Sequence, residues 1–137
     1  MSTEQNKQIV RRFIEEGLSG HRLDLIDELF DPGYVENQFG LKPRIEGMKQ
    51  DFKFLYKAFP DYQLVIDDLV ADGEQVWLRM TCTGTNLGGF MGPPDGKPFR
   101  ITVFDVVRLK DGRIVEHWGV PDRFALMAQL GLMPKIG

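Results

Sequence analysis

Apolar residues recur at helical spacing through the first half of the chain and alternate through most of the second, which predicts helices followed by strands. Ser2 and Gln5 form a capping-box start. Ile9, Val10, Phe13, Ile14 and Leu18 then fall on one helical face, with Arg11, Arg12, Glu15 and Glu16 turned away, and Ser19-Gly20 ends the helix. Leu23, Ile26, Leu29 and Phe30 mark a short second helix, stopped by Asp31-Pro32-Gly33. Met48, Phe52, Leu55, Tyr56 and Phe59 form the stripe of a third, ending before Pro60. Four alternating stretches follow: Tyr62–Ala71, Gln75–Thr85, Pro98–Leu109 and Ile114–Val120. Asp67-Asp68 interrupts the first as a bulge would, and Asp72-Gly73 and Asp111-Gly112 read as turns. A last helix runs from Asp122 to Leu130, with Gly131 as its C-cap.

Helices followed by a four-stranded antiparallel meander predict an α+β fold, with helices on one face of the sheet. The segment Asn86 to Lys97 is long for a hairpin connection and rich in glycine and proline, so it reads as a lid, a dimer contact or a plain surface loop. In the last hairpin, a three-residue loop Lys110-Asp111-Gly112 with Gly112 left-handed would set Asp105 opposite His117. That register gathers Val103, Asp105, Val107, Leu109, Val115, His117 and Gly119 on one face, assigned to the interior. It leaves Phe104, Val106, Arg108, Ile114, Glu116 and Trp118 on the other, with Arg108 and Glu116 as diagonal neighbours. Trp77, Arg79, Phe104 and Trp118 then share an outer face, which predicts a homodimer through that surface.

The chain has 137 residues, 42% hydrophobic and 27% charged, the size and composition expected of a single globular domain spanning residues 1–137. With a net charge of −3 and no basic stripe, nucleic acid is not an expected partner. No apolar run approaches the roughly 20 residues of a membrane span, and the polar start lacks signal-peptide layout, so no membrane partner is expected. Cys82 is the sole cysteine, which fits a reducing cytoplasm. His21, His117 and Cys82 are the only soft ligands, so no zinc set is offered.

Within the apolar interior face, an imidazole facing an acid has its charge and tautomer controlled by that acid, a combination suited to proton transfer. Asp122 reads either as the N-cap of the last helix or as a general acid/base at the pocket mouth. Asn37, grouped with Tyr34, Glu36 and Gln38, reads either as a polar cluster for a ligand carbonyl or as a turn. Tyr34, Tyr56 and Phe90 complete the expected substrate-contacting set.

Phe59-Pro60-Asp61, Gly84-Thr85-Asn86, Gly92-Pro93-Pro94-Asp95-Gly96 and Asp111-Gly112-Arg113-Ile114-Val115-Glu116-His117-Trp118, taken in order, resemble the SnoaL-like polyketide cyclase family, within the group typified by nuclear transport factor two and ketosteroid isomerase. The resemblance implies a cone-shaped, curved antiparallel sheet wrapped around N-terminal helices and enclosing an apolar pocket, with dimerisation through the convex face. It implies ring closure of a small hydrophobic, polyketide-type carbonyl compound by aspartate acid/base chemistry, with no metal or organic cofactor. Asp122 matches the position of the family's acid/base aspartate, His117 a cavity histidine, and Asp105 the pocket aspartate of the related isomerases. Three alternatives stay open: cyclase or isomerase chemistry, epoxide or ester hydrolysis in the same pocket, and a non-catalytic ligand-binding dimer.

Overall fold

The computed structural model describes residues 2–133. Helix α1 spans Thr3–Arg12, and the predicted capping box forms, the Ser2 hydroxyl accepting from Gln5 N–H and the Gln5 side chain accepting from Ser2 N–H. It continues without a break into a π-helical turn, Phe13–Leu18, where Ser19 N–H reaches back five residues to the Ile14 carbonyl at 2.9 Å. The Ser19 hydroxyl both donates to and accepts from the Leu64 backbone, at 2.7 and 2.8 Å, tying the helix end to an edge strand. Helix α2 is Asp24–Leu29, β1 is Phe30–Glu36 and α3 is Ile45–Ala58. Strands β2 (Gln63–Asp72), β3 (Gln75–Thr85), β4 (Pro98–Lys110) and β5 (Arg113–Pro121) follow, and α4 is Arg123–Gln129. The α+β assignment holds: one five-stranded, curved, unclosed sheet packs against the N-terminal helices.

Two expectations about the sheet are corrected. The meander is not the whole sheet. Its order is β1-β5-β4-β3-β2, and β1 pairs parallel to β5. The sequence reading stopped at Asp31-Pro32-Gly33, but a proline that cannot donate is tolerated on an edge strand, and the pairing skips irregularly from Phe30 to Val35 across that stretch. From there Tyr34 and Glu36 alternate inward, both buried.

The hairpin register also differs. Asp111 and Gly112 both have positive φ, 50° and 77°, which makes a two-residue type I′ turn with Lys110 opposite Arg113. A bulge follows, because Leu109 pairs with Ile114 and Arg108 with Glu116, leaving Val115 as the extra residue. Ile114 therefore points into the core, 1% exposed, where an outer position was expected, and Val115 is only half-buried. Asp105 faces Gly119 and His117 faces Val107, so the two residues share the inner face as expected but meet on the diagonal. Arg108 and Glu116 are directly opposite and paired at 3.0 Å. The bulge predicted at Asp67-Asp68 is present, with Asp67 as the extra residue.

The core lies between the concave face and the helices. Val10 and Ile14 of the first helix, Ile26 of α2 and Met48 of α3 meet Val76, Leu78, Met80 and Val107 of the sheet, all essentially inaccessible to water. The Asn86–Lys97 segment is firmly based: Asn86 is buried, its side-chain amide donates to Asp95, and its side-chain carbonyl accepts from Gly89 N–H. A Cβ on Gly88 would stand 1.7 Å from the Lys57 carbonyl oxygen, so only glycine allows that close approach to α3.

Candidate active site

Between the concave sheet face and the helices the fold leaves a cavity of about 520 Å³. Its walls are mostly apolar, including Phe13, Phe30, Phe52, Ile101 and Val103, with Phe90 and Met91 of the Asn86–Lys97 segment also lining it. One region is polar, built from the inward positions of β1, β4 and β5. Parallel pairing sets Glu36 beside His117, and the antiparallel diagonal brings in Asp105. The result is a continuous chain of buried side chains.

The Tyr34 hydroxyl donates to Glu36 Oε1 at 2.8 Å. Glu36 Oε2 accepts from Gln38 N–H at 3.0 Å and lies 2.5 Å from His117 Nδ1. His117 Nε2 in turn lies 3.1 Å from Asp105 Oδ2. Both ring nitrogens thus face a carboxylate. Burial acts to lower the basicity of His117, but the charge and hydrogen bonding of Asp105 and then Glu36 outweigh it and hold the imidazolium up to about pKa 10. The ring is therefore a cation at neutral pH. Burial, reinforced by Glu36, raises the Tyr34 hydroxyl far above its usual range, so it remains a proton donor.

The other end of the chain is incomplete. Asp105 Oδ1 is buried and has no hydrogen-bond partner among the described residues. An orphaned buried oxygen carries a desolvation penalty, so it stands out in a network that is otherwise satisfied. Gly119, the cross-strand neighbour of Asp105, keeps room here: a Cβ at that position would lie 2.3 Å from Gln38 Oε1, 2.7 Å from Asp105 Oδ1 and 2.8 Å from His117 Cε1. Tyr62 and Cys82 also line the cavity. Burial pushes the Cys82 thiol up to about 12 and raises the Tyr62 phenol well above its normal value, so both hold their protons.

The predicted residues separate into two groups. Asp105, His117, Tyr34 and Phe90 all line the cavity. Asn37, Tyr56 and Asp122 are not among the lining residues. Asn37 is exposed and its amide donates to Glu116 on the outer face. Tyr56 donates to the Leu18 carbonyl at 2.8 Å and its ring stacks on His21. Asp122 is exposed and caps α4, accepting from Ala125 N–H at 3.0 Å. Glu36 was visible only as a member of the polar cluster after α2. The spacing of Tyr34, Glu36 and Gln38 by two residues is a strand signal that would have turned all three toward one face.

A family model for SnoaL-like polyketide cyclases matches residues 8–130. The chain belongs to that family. Solved structures agree with the assignment. AclR from Streptomyces galilaeus, to which a hydroxylase role is ascribed, is 28% identical with a TM-score of 0.88, over 99% of this chain and 91% of its own. IdmH from Streptomyces antibioticus, to which polyketide cyclisation is ascribed, is 33% identical with a TM-score of 0.84, over 93% of this chain and 99% of its own. TsrD from Streptomyces laurentii is 26% identical with a TM-score of 0.86, over 97% and 99% respectively. Among curated proteins no sequence match is found. Among the described residues of this SnoaL-like domain, no helix is long and apolar enough to cross a membrane.

Proposed function

We propose that this SnoaL-like domain catalyses proton transfer on a small hydrophobic carbonyl compound of polyketide type, leading to aldol ring closure or isomerisation, without a cofactor. The observation that carries this is Asp105. It lines an apolar cavity, one oxygen is held beside the His117 imidazolium, and the other has no partner. In the proposed reaction Asp105 Oδ1 takes a proton from the carbon next to a carbonyl. The enolate carbon then attacks a second carbonyl of the same molecule, forming the C–C bond, and the resulting alkoxide recovers the proton from Asp105. His117 keeps its positive charge beside the site of developing negative charge. The resemblance gives the acid/base role to Asp122. The geometry supports Asp105 instead, because Asp122 is engaged at the helix cap and lies outside the cavity lining.

The test uses an aryl keto ester whose α-protons exchange slowly in buffer. In D₂O the protein should accelerate loss of the α-proton NMR signal in a saturable way. Binding of the probe without accelerated exchange would leave a ligand-binding domain, and entry of labelled solvent oxygen into a product would point to hydrolysis.

The convex face supports a homodimer. Val70, Trp77, Val106 and Trp118 align across four strands, and Arg79, Phe104 and Val120 form the next row. Trp77, Phe104 and Val120 are 51%, 56% and 70% exposed, a concentration of apolar surface that association would cover. Light scattering should give twice the 15.7 kDa chain mass, and the double variant Trp77→Glu, Phe104→Glu should elute as monomer. A monomeric parent protein would overturn the proposal. The buried lone thiol of Cys82 supports a reducing, cytoplasmic setting.

A further inference from the structure

His117 is held from two sides, and only one side belongs to the acid/base proposed above. An imidazole that meets a single carboxylate can rotate about its Cβ–Cγ bond and exchange one ring edge for the other. Here the second edge is fixed. Glu36 Oε2 sits 2.5 Å from Nδ1, the Glu36 side chain is only 1% exposed, and neither carboxylate oxygen is left free, since Oε1 accepts from Tyr34 and Oε2 also accepts from Gln38 N–H. The backbone is fixed as well: Glu36 N–H donates to the Pro43 carbonyl, Asn37 N–H donates to the His117 carbonyl, and Glu36 and His117 are register partners in the parallel pair.

We propose that Glu36 is the positioning residue of this site: by anchoring the Nδ1 edge of His117, it commits the Nε2 edge to Asp105 Oδ2 and leaves Oδ1 as the oxygen that meets substrate. This rests on the proton-transfer reading of Asp105. Glu36 does not itself touch the reacting atoms in this arrangement. Its effect passes through the ring, in the way that outer partners of functional histidines set tautomer and orientation. Tyr34 supports Glu36 in turn, so the device is a four-member chain from β1 through β5 to β4, built from residues at inward positions of three strands.

The groups facing the His117 ring are Glu36 from β1 and Asp105 from β4, with the Gln38 side chain grouped with them around Gly119. The Tyr62 hydroxyl and the Cys82 thiol of β3 face Asp105 across the same cavity and stay protonated. Removing the Glu36 charge therefore leaves Asp105 as the single anion holding the imidazolium. The folded-state pKa of His117 should fall, and the ring should deprotonate at lower pH than in the parent.

The experiment is an NMR titration of the His117 ring nitrogens in the parent, Glu36→Gln and Tyr34→Phe proteins, paired with the α-proton exchange assay. In the parent the ring should remain an imidazolium through pH 9. In Glu36→Gln its midpoint should fall by at least one pH unit, a tenfold change in proton affinity, and kcat for exchange should drop about ten- to a hundredfold with KM changed less than threefold. Tyr34→Phe leaves the Glu36 charge in place but frees its Oε1, so kcat should fall by less while the ring midpoint does not fall, and its kcat carries the test if Glu36→Gln does not fold. An unchanged ring titration with unchanged kcat would overturn the role of Glu36. If the parent shows no exchange at all, the catalytic reading falls, while the ring titration still decides whether Glu36 anchors His117.

Discussion

Asp105→Asn lowers the rate of α-proton exchange by at least about a hundredfold, the range expected when a positioned general base is lost. Asparagine keeps the shape of the side chain but cannot accept a proton at neutral pH. Because Asp105 is buried and its Oδ2 sits 3.1 Å from His117 Nε2, the substitution also removes one of the two anions that hold the imidazolium. The loss should appear in kcat, with probe binding retained, since the apolar walls that hold the probe are untouched. Asp122→Asn is the matched comparison. Asparagine caps a helix as well as aspartate does, so this change is structurally quiet, and any large loss of rate would report chemistry. The geometry predicts exchange within a few-fold of the parent. If Asp122→Asn is inactive and Asp105→Asn active, the acid/base role returns to Asp122.

Phe59→Ala should cost about 3–5 kcal/mol, the usual penalty for emptying a buried aromatic site. Phe59 is 1% exposed and closes the C-terminus of α3, its N–H donating to the Leu55 carbonyl at 2.7 Å. Its ring lies 4.8 Å from Phe99 of β4 and 5.1 Å from Phe90, so one side chain joins the helix, the sheet and the Asn86–Lys97 segment. Phe59 also borders the cavity, so the space it vacates would join that cavity instead of being filled by neighbouring side chains. Against the ~5–15 kcal/mol that stabilises an ordinary domain, this is at least about a fifth of the total. Urea unfolding should show a lower midpoint at an unchanged slope. Phe54→Ala, at a ring that is 53% exposed, serves as the control and should cost well under half as much. A loss under ~1 kcal/mol for Phe59→Ala would contradict the packing described for the core.

Much of the fold was legible because the signals involved are local. The Ser2–Gln5 capping box, the stripe from Ile9 to Leu18, the Asp67 bulge and the alternation through β3 and β4 each depend on residues within a turn or a strand of one another. The placement of Asp105 and His117 on one inner face was also readable, since strand alternation assigns faces by parity alone. Their mutual position was not. The predicted three-residue loop gave the correct faces with the wrong neighbours, because the actual two-residue turn would have reversed the parity of β5 had Val115 not bulged. The two-residue turn sets Ile114 opposite inward Leu109, and the bulge at Val115 then returns His117 to the same face; burying Ile114 is a tertiary gain with no local cue.

β1 and Glu36 show the same division. The chain Asp31-Pro32-Gly33 carries strong turn chemistry, and nothing within several residues outweighs it. Phe30–Glu36 becomes a strand because β5, some eighty positions later, offers it an edge. Only then do Glu36 and His117 become partners and the buried charge chain close. By itself the sequence determined the helices, the antiparallel strands, the inward aspartate and histidine, and the family resemblance, all set by short-range periodicity and motif. Tertiary structure alone decided the fifth strand, the diagonal meeting of Asp105 with His117, the anchoring glutamate and the capping position of Asp122. Those depend on long-range pairing and packing, whose free energy is realised only when distant segments meet.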